Sequence, residues 1–144
     1  MYNVIDIIDL SNKRNVYIVG DLHGCYDKLM KLLKEVKFDE DQDFLISVGD
    51  LIDRGDKCEE CVLLVGKKWF KTVRGNHEQF CINSYYNPSL KESHSKKGNG
   101  GAWLYKLPYK IQKFVAQEFE KLSIAIEVHY KGKKYGVVHA NVPF

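Results

Sequence analysis

Three short β-branched runs end in the same way, and that repetition constrains the fold more than any other feature. Val16 to Val19 runs into Gly20-Asp21-Leu22-His23-Gly24. Phe44 to Val48 runs into Gly49-Asp50-Leu51-Ile52-Asp53-Arg54-Gly55, and Phe70 to Val73 into Arg74-Gly75-Asn76-His77-Glu78. Such runs, each closed by glycine, read as strands. Between the first two, Tyr26 to Phe38 sets Leu29, Leu32, Leu33 and Val36 at the spacing of an amphipathic helix. Glu59 to Lys67 reads as a shorter helix between the second and third. The order βαβαβ predicts parallel pairing and an α/β layer architecture.

The remaining chain is less regular. A helix is expected to begin near His77 and to carry Phe80, Cys81 and Ile82. Glu78 stands in its first turn, where the helix macrodipole favours an acid; this suffices to explain it, though a bracing role stays open. Tyr85 to Gly101 is polar, with one proline and three glycines, and reads as a long mobile loop with His94 exposed on it. Gly98-Asn99-Gly100-Gly101 reads as a flexible turn in preference to a backbone nest for anions. Tyr109 to Leu122 forms a helix with Ile111, Phe114, Val115, Phe119 and Leu122 mostly on one side. Ile124 to Tyr130 and Tyr135 to Val138 form a hairpin across the solvated turn Lys131 to Lys134.

A length of 144 residues suits one domain, residues 1–144, and 44% apolar with 28% charged residues suits a globular one. The net charge, +3, is too small to imply a nucleic-acid or membrane-surface partner. Met1 to Leu10 carries two acids and no basic segment, and no apolar run reaches membrane-spanning length, so a cytoplasmic location is expected. A reducing compartment keeps Cys25, Cys58, Cys61 and Cys81 as free thiols. Cys58 and Cys61 form a CxxC with no second half to complete a zinc site, and they read as helix core.

Ligands of open α/β sheets bind outside the carboxyl ends of the strands. Three neighbouring strands would therefore gather their clusters on one rim, and the later run Tyr135 to Val138 delivers His139 toward it. Carboxylate, imidazole and amide oxygen form a ligand set without thiolate, suited to manganese, iron, nickel or zinc. Asp21 and His23, two residues apart, can hold one ion. Asp50 can bridge it to a second, with Asn76 and His139 on the far side. Metal pairs about 3.5 to 4 Å apart clamp phosphoryl groups and activate water. Arg54 offers a planar fork for two phosphate oxygens. His77 is placed to protonate a leaving alkoxide, with Asp53 to orient its ring.

GDLHG, GDLIDRG and RGNHE resemble the three signature motifs of the calcineurin-like metallophosphoesterases, in particular the phosphoprotein phosphatase group. LISVGDLIDRG, VRGNHEQ, NGGAW and the terminal HANVPF are most similar to the phage lambda type of serine/threonine phosphatase. The resemblance runs from about residue 14 to the end. It implies a β-sandwich flanked by helices and two divalent ions, manganese first. Asp21, His23 and Asp50 would hold one ion, and Asp50, Asn76 and His139 the other. Arg54 would bind phosphate, with His77 and Asp53 as the acid pair and a phosphorylated protein or peptide as substrate.

Members of that family continue past the position of Phe144 with a Gly-His motif and a second phosphate-binding arginine, whereas no arginine follows Arg74 here. The expectation is a domain incomplete at its C-terminal side. Its second metal site would be weaker and its activity reduced, and uncovered apolar surface would invite oligomerisation. Two alternatives stand beside the protein phosphatase reading. One is hydrolysis of dinucleoside polyphosphates, a branch that shares the motifs. The other is a non-catalytic metal- or phosphate-binding remnant.

Overall fold

The computed structural model describes residues 4–140. Met1 to Asn3 and Asn141 to Phe144, with most of the HANVPF end, lie outside the described residues. In chain order the elements are β1 Ile5–Asp9, β2 Val16–Val19, α1 Tyr26–Glu35, β3 Phe44–Ser47, α2 Cys58–Leu63 and β4 Phe70–Thr72. There follow α3 Asn76–Tyr86, α4 Lys91–Ser95, α5 Ala102–Tyr105, α6 Tyr109–Glu120, β5 Ala125–Tyr130 and β6 Lys133–Val138.

The parallel sheet expected from the three β-branched runs forms, in the order β2-β3-β4. Its central strand β3 is buried at every position, as a parallel strand covered on both faces must be. A second sheet, β1-β5-β6, pairs β1 parallel with β5 and β5 antiparallel with β6. Between the sheets lies a core of Phe44, Ile46 and Val73 from the first and Ile126, Val128 and Val137 from the second. The opposite face of the first sheet packs Leu45 and Phe70 against Leu29 of α1, Val62 of α2, Cys81 and Ile82 of α3, and Val115, Ala116 and Phe119 of α6. The result is the mixed α/β sandwich flanked by helices that the motifs imply.

Several elements differ from the sequence reading. β1 was not foreseen because its apolar residues do not separate by face: Ile5 and Ile7 point outward, while Ile8 and Asp6 turn inward and Asp6 meets Lys71 Nζ at 2.9 Å. On α1 the buried stripe is Tyr26, Leu29, Met30 and Leu33, leaving Leu32 and Val36 exposed. On α6 Phe114 is likewise exposed, and Ala116 takes its place inside. The hairpin turn is two residues, Lys131 and Gly132, both at positive φ as the right-handed strand twist favours. The stretch 85–101 is not one long loop, because it folds into the end of α3, a 3₁₀ turn at Pro88–Leu90 and α4. The four cysteines are free thiols, with Cys58 and Cys61 in the helix-side core.

Beside the β2 and β6 edges the two sheets part, leaving a groove of about 520 Å³ lined by Val16, Ile18, Val48, Val128, Tyr135 and Val137. Among the described residues no helix is long and apolar enough to cross a membrane.

Candidate active site

Three loops leave the carboxyl ends of β2, β3 and β4 and are strapped together by their backbones. Leu22 and His23 N–H donate to Asp50 O at 3.0 and 2.9 Å, and Gly24 N–H donates to Leu51 O at 2.9 Å. Glu78 ties the second loop to the third: its carboxylate accepts from the N–H groups of Asp50, Leu51 and Gly75, each at 2.8 Å. It is fully buried, so the cap explanation is insufficient and the bracing role is the observed one. Burial pushes this carboxyl up to about 7, against the lowering effect of the three N–H groups. His23, Asp50, Asp53 and Arg54 all adopt positive φ, between 43° and 73°. Four non-glycine residues held there store strain that the straps must offset, and such strain gathers where side chains have to be aimed.

The straps bring every sequence-predicted ligand to one place. His23 Nε2 lies 3.9 Å from Asp21 Oδ2 and 3.7 Å from Asp50 Oδ2. His139, arriving from the other sheet at the end of β6, sets Nε2 3.4 Å from Asp50 Oδ2 and 2.9 Å from Asn76 Oδ1. Asp50 sits among all of them, and its Oδ1 accepts His77 N–H at 3.0 Å. Backbone carbonyls fix both imidazoles: His23 Nδ1–H donates to Ile52 O and His139 Nδ1–H to Val48 O, each at 2.8 Å. Their Nε2 lone pairs therefore face inward in the neutral ring. In that form the Nε2 lone pair of His139 confronts an amide oxygen and a carboxylate oxygen. A cation satisfies that arrangement, so the donor set fits a divalent metal ion. Two groups of potential ligand atoms, Asp21–Asp50–His139 and His23–Asp50–His77, lie within 4.8 Å, and Asp50 belongs to both.

Around this cluster stand the residues expected to handle phosphate. Arg54 is exposed at the rim, its Nε donating to Gly98 O at 3.1 Å and Nη1 to His23 Nε2 at 3.2 Å. The loop 98–101 thus turns carbonyls toward the arginine and is not an anion nest. His77 Nδ1 lies 2.7 Å from Asp53 Oδ2, the expected pairing, with both residues buried. The His77 ring stands edge-on to His23, centroids 4.7 Å apart. Desolvation alone would raise the pKa of Asp53, but hydrogen bonds from His94, His77 and Trp103 outweigh it and hold the carboxyl below its usual range. His94 corrects the sequence reading. It is buried against Asp53, not exposed on a loop, because α4 turns it inward. Trp103 was also missed. Trp103 stands in the NGGAW segment that carries the resemblance, but its partner, like that of His94, lies more than forty residues away and no local signal names it.

The fold and site together define a class: an α/β sandwich whose strand ends gather a nitrogen and oxygen ligand set beside an arginine and a buried imidazole–carboxylate pair. The chain belongs to the calcineurin-like phosphoesterase family, whose model matches residues 14–143. Serine/threonine-protein phosphatase 1 of Salmonella typhimurium is 37% identical over 139 residues, which cover 94% of this chain and 63% of that protein. The symmetrical bis(5'-nucleosyl)-tetraphosphatase of Pasteurella multocida is 53% identical over 70 residues, 47% of this chain and 26% of that protein. A crystal structure named as a candidate diadenosine tetraphosphatase aligns with a TM-score of 0.66 at 27% identity, over 88% of this chain and 50% of that one. The chain spans 60 to 63% of the length of the serine/threonine-protein phosphatases it matches.

Proposed function

We propose that this protein is a metal-dependent phosphomonoesterase acting on phosphorylated serine or threonine in proteins or peptides. The convergence of Asp21, His23, Asp50, Asn76 and His139 from four strand ends carries the reading. Asp21, His23 and Asp50 would hold one divalent ion and Asp50, Asn76 and His139 a second. Manganese suits the set first, with iron, zinc or nickel next. When bound, such a pair supplies charge on the phosphoryl oxygens and an activated water.

The chain's own groups do the rest. Arg54, already at the rim, grips phosphate oxygens with its planar fork. Asp53 keeps the proton on His77 Nδ1, so that Nε2 is the nitrogen that hands a proton to the departing alkoxide. Preference for protein substrates is supported by the relative matched along 94% of the chain. A second reading, hydrolysis of dinucleoside polyphosphates, is favoured by the higher identity of the tetraphosphatase over 70 residues.

One assay separates the readings. With manganese, the purified chain is expected to release phosphate from a phosphoserine peptide faster than it cleaves diadenosine tetraphosphate; the reverse order assigns the nucleotide reading. His77→Asn should lower turnover about 10²- to 10⁴-fold with metal content unchanged, as loss of a general acid does. Absence of hydrolysis with metal bound would leave only a non-catalytic binding role.

A further inference from the structure

Asp53 is gripped by three donors. Trp103 Nε1–H reaches Oδ1 at 2.7 Å, while His77 Nδ1 at 2.7 Å and His94 Nε2 at 2.6 Å share Oδ2. An ionised carboxylate only accepts, so both imidazoles present a protonated nitrogen to it. The other nitrogen of His94, Nδ1, meets the Tyr105 hydroxyl at 2.6 Å. Burial pushes that phenol up to about 12, so the hydroxyl keeps its proton and donates it to Nδ1. Both nitrogens of His94 are therefore committed, and the ring has one tautomer and one orientation.

The surroundings are shaped to that ring. Phe80 packs against His77 and His94 together, with centroids 5.4 and 5.9 Å away. A Cβ on Gly101 would lie 2.3 Å from Cδ2 and Nε2 of His94, so only glycine leaves the ring its place. The preceding Gly100, at φ +80°, comes as close to the Arg54 backbone, where a Cβ would stand 2.5 Å from N. One tight turn thus seats both the phosphate-binding arginine and the second histidine. His94 touches none of the five metal-ligand candidates, and no part of the proposed chemistry has used it.

We propose that His94 is a positioning residue for proton transfer: the relay Tyr105–His94–Asp53 fixes the carboxylate so that it holds His77 with Nδ1 protonated and Nε2 toward the leaving group. This rests on the phosphoesterase reading given above. In the step it serves, His77 enters with a proton on each ring nitrogen. Water adds to phosphorus and sheds a proton to solvent, and the P–O bond to the leaving group breaks with its electron pair on oxygen. That oxygen takes the Nε2 proton, leaving His77 as the neutral Nδ1–H tautomer. Without His94, Oδ2 loses one of two charge-assisted bonds, and the carboxylate is free to turn toward Trp103. The cost falls on leaving groups that need the proton.

The test uses the whole chain with manganese and the variants His94→Phe and His94→Gln. Phenyl phosphate needs protonation of its leaving group, and p-nitrophenyl phosphate departs without it. His94→Phe is expected to lower kcat for phenyl phosphate roughly 10- to 100-fold, a fraction of what a general acid contributes. KM should stay within about twofold, since ground-state binding is untouched. The p-nitrophenyl ester should lose little. Gln, whose Nε2–H reaches the same oxygen, should restore most of the loss. An independent readout needs neither metal nor turnover. Long-range ¹H–¹⁵N spectra of the metal-free chain should show His77 in the Nδ1–H tautomer, becoming a tautomer mixture in His94→Phe while the backbone amide spectrum persists. Equal losses on both esters, or an unchanged His77 tautomer, would overturn the proposal. If the wild type hydrolyses neither ester, the phosphoesterase reading fails, while the spectra still decide whether His94 orients His77.

Discussion

Asp43 shows how a single charge can anchor this fold far from the candidate site. Its buried carboxylate receives Arg14 Nε at 3.0 Å and Nη2 at 2.5 Å, Asn15 Nδ2 at 3.1 Å and the Asp39 N–H at 2.9 Å. The hydrogen bonds from Arg14 are the largest influence and hold its pKa at about 2, against 3.8 for an ordinary aspartate. A group with a lowered folded pKa stabilises above its unfolded value and loses that contribution as pH falls through the folded one. Wild-type stability to urea should therefore drop between pH 3.8 and about 2. Asp43→Asn, which cannot ionise, should be less stable at pH 7 but lack this acid-dependent loss. Parallel slopes for both proteins across that range would show that Asp43 is not the titrating anchor.

At the scale of elements, the buried Glu78 of α3 ties the backbone of the β3 loop to that of the β4 loop, alongside the Asp53–His77 pair. Three backbone N–H groups converge on its two oxygens. At pH 8, above the value of about 7 to which burial pushes it, the carboxylate accepts all three. Glu78→Gln then turns an amide N–H₂ against a backbone donor, leaving at least one buried N–H unsatisfied. That should cost about 1 to 3 kcal/mol in urea unfolding. It should also weaken metal binding, because Asp50 hangs from the strapped backbone. Much of the element pattern was legible in sequence: the parallel strands, the helices between them and the hairpin are local signals. What failed was facing. Leu32, Val36 and Phe114 obey a helical period yet lie outside, since the buried stripe depends on what each helix packs against. Ile5 to Asp9 becomes a strand through pairing with β5, some 120 residues away.

Across the whole molecule, the ligand cluster joins the two sheets. Asp21, Asp50 and Asn76 come from the β2-β3-β4 layer, while His139 ends β6 of the other and reaches Asn76 and Asp50 across the interface. A bound ion would therefore cross-link the sandwich. By mass action, manganese at about 100 times its Kd adds about 2.7 kcal/mol. For a chain of this size that raises Tm by several degrees. Chelation should reverse the rise in a thermal melt, and Asp50→Asn, which removes the ligand shared by both ions, should remove most of it. A metal-induced shift that survives Asp50→Asn would place the ion elsewhere.

Sequence alone determined which residues can do chemistry and roughly where they stand. The strand-Gly-Asp and strand-Gly-Asn patterns are local, and strand ends sit on one rim by the geometry of parallel sheets. Only the tertiary structure decided how those residues are held. Glu78, His94 and Trp103 act through contacts that join distant segments, and a residue's own neighbours in sequence do not reveal whether it faces water or a buried carboxylate. His94 reads as a loop histidine in the chain and stands against Asp53 in the fold because α4, Gly101 and Tyr105 leave its ring one place to go.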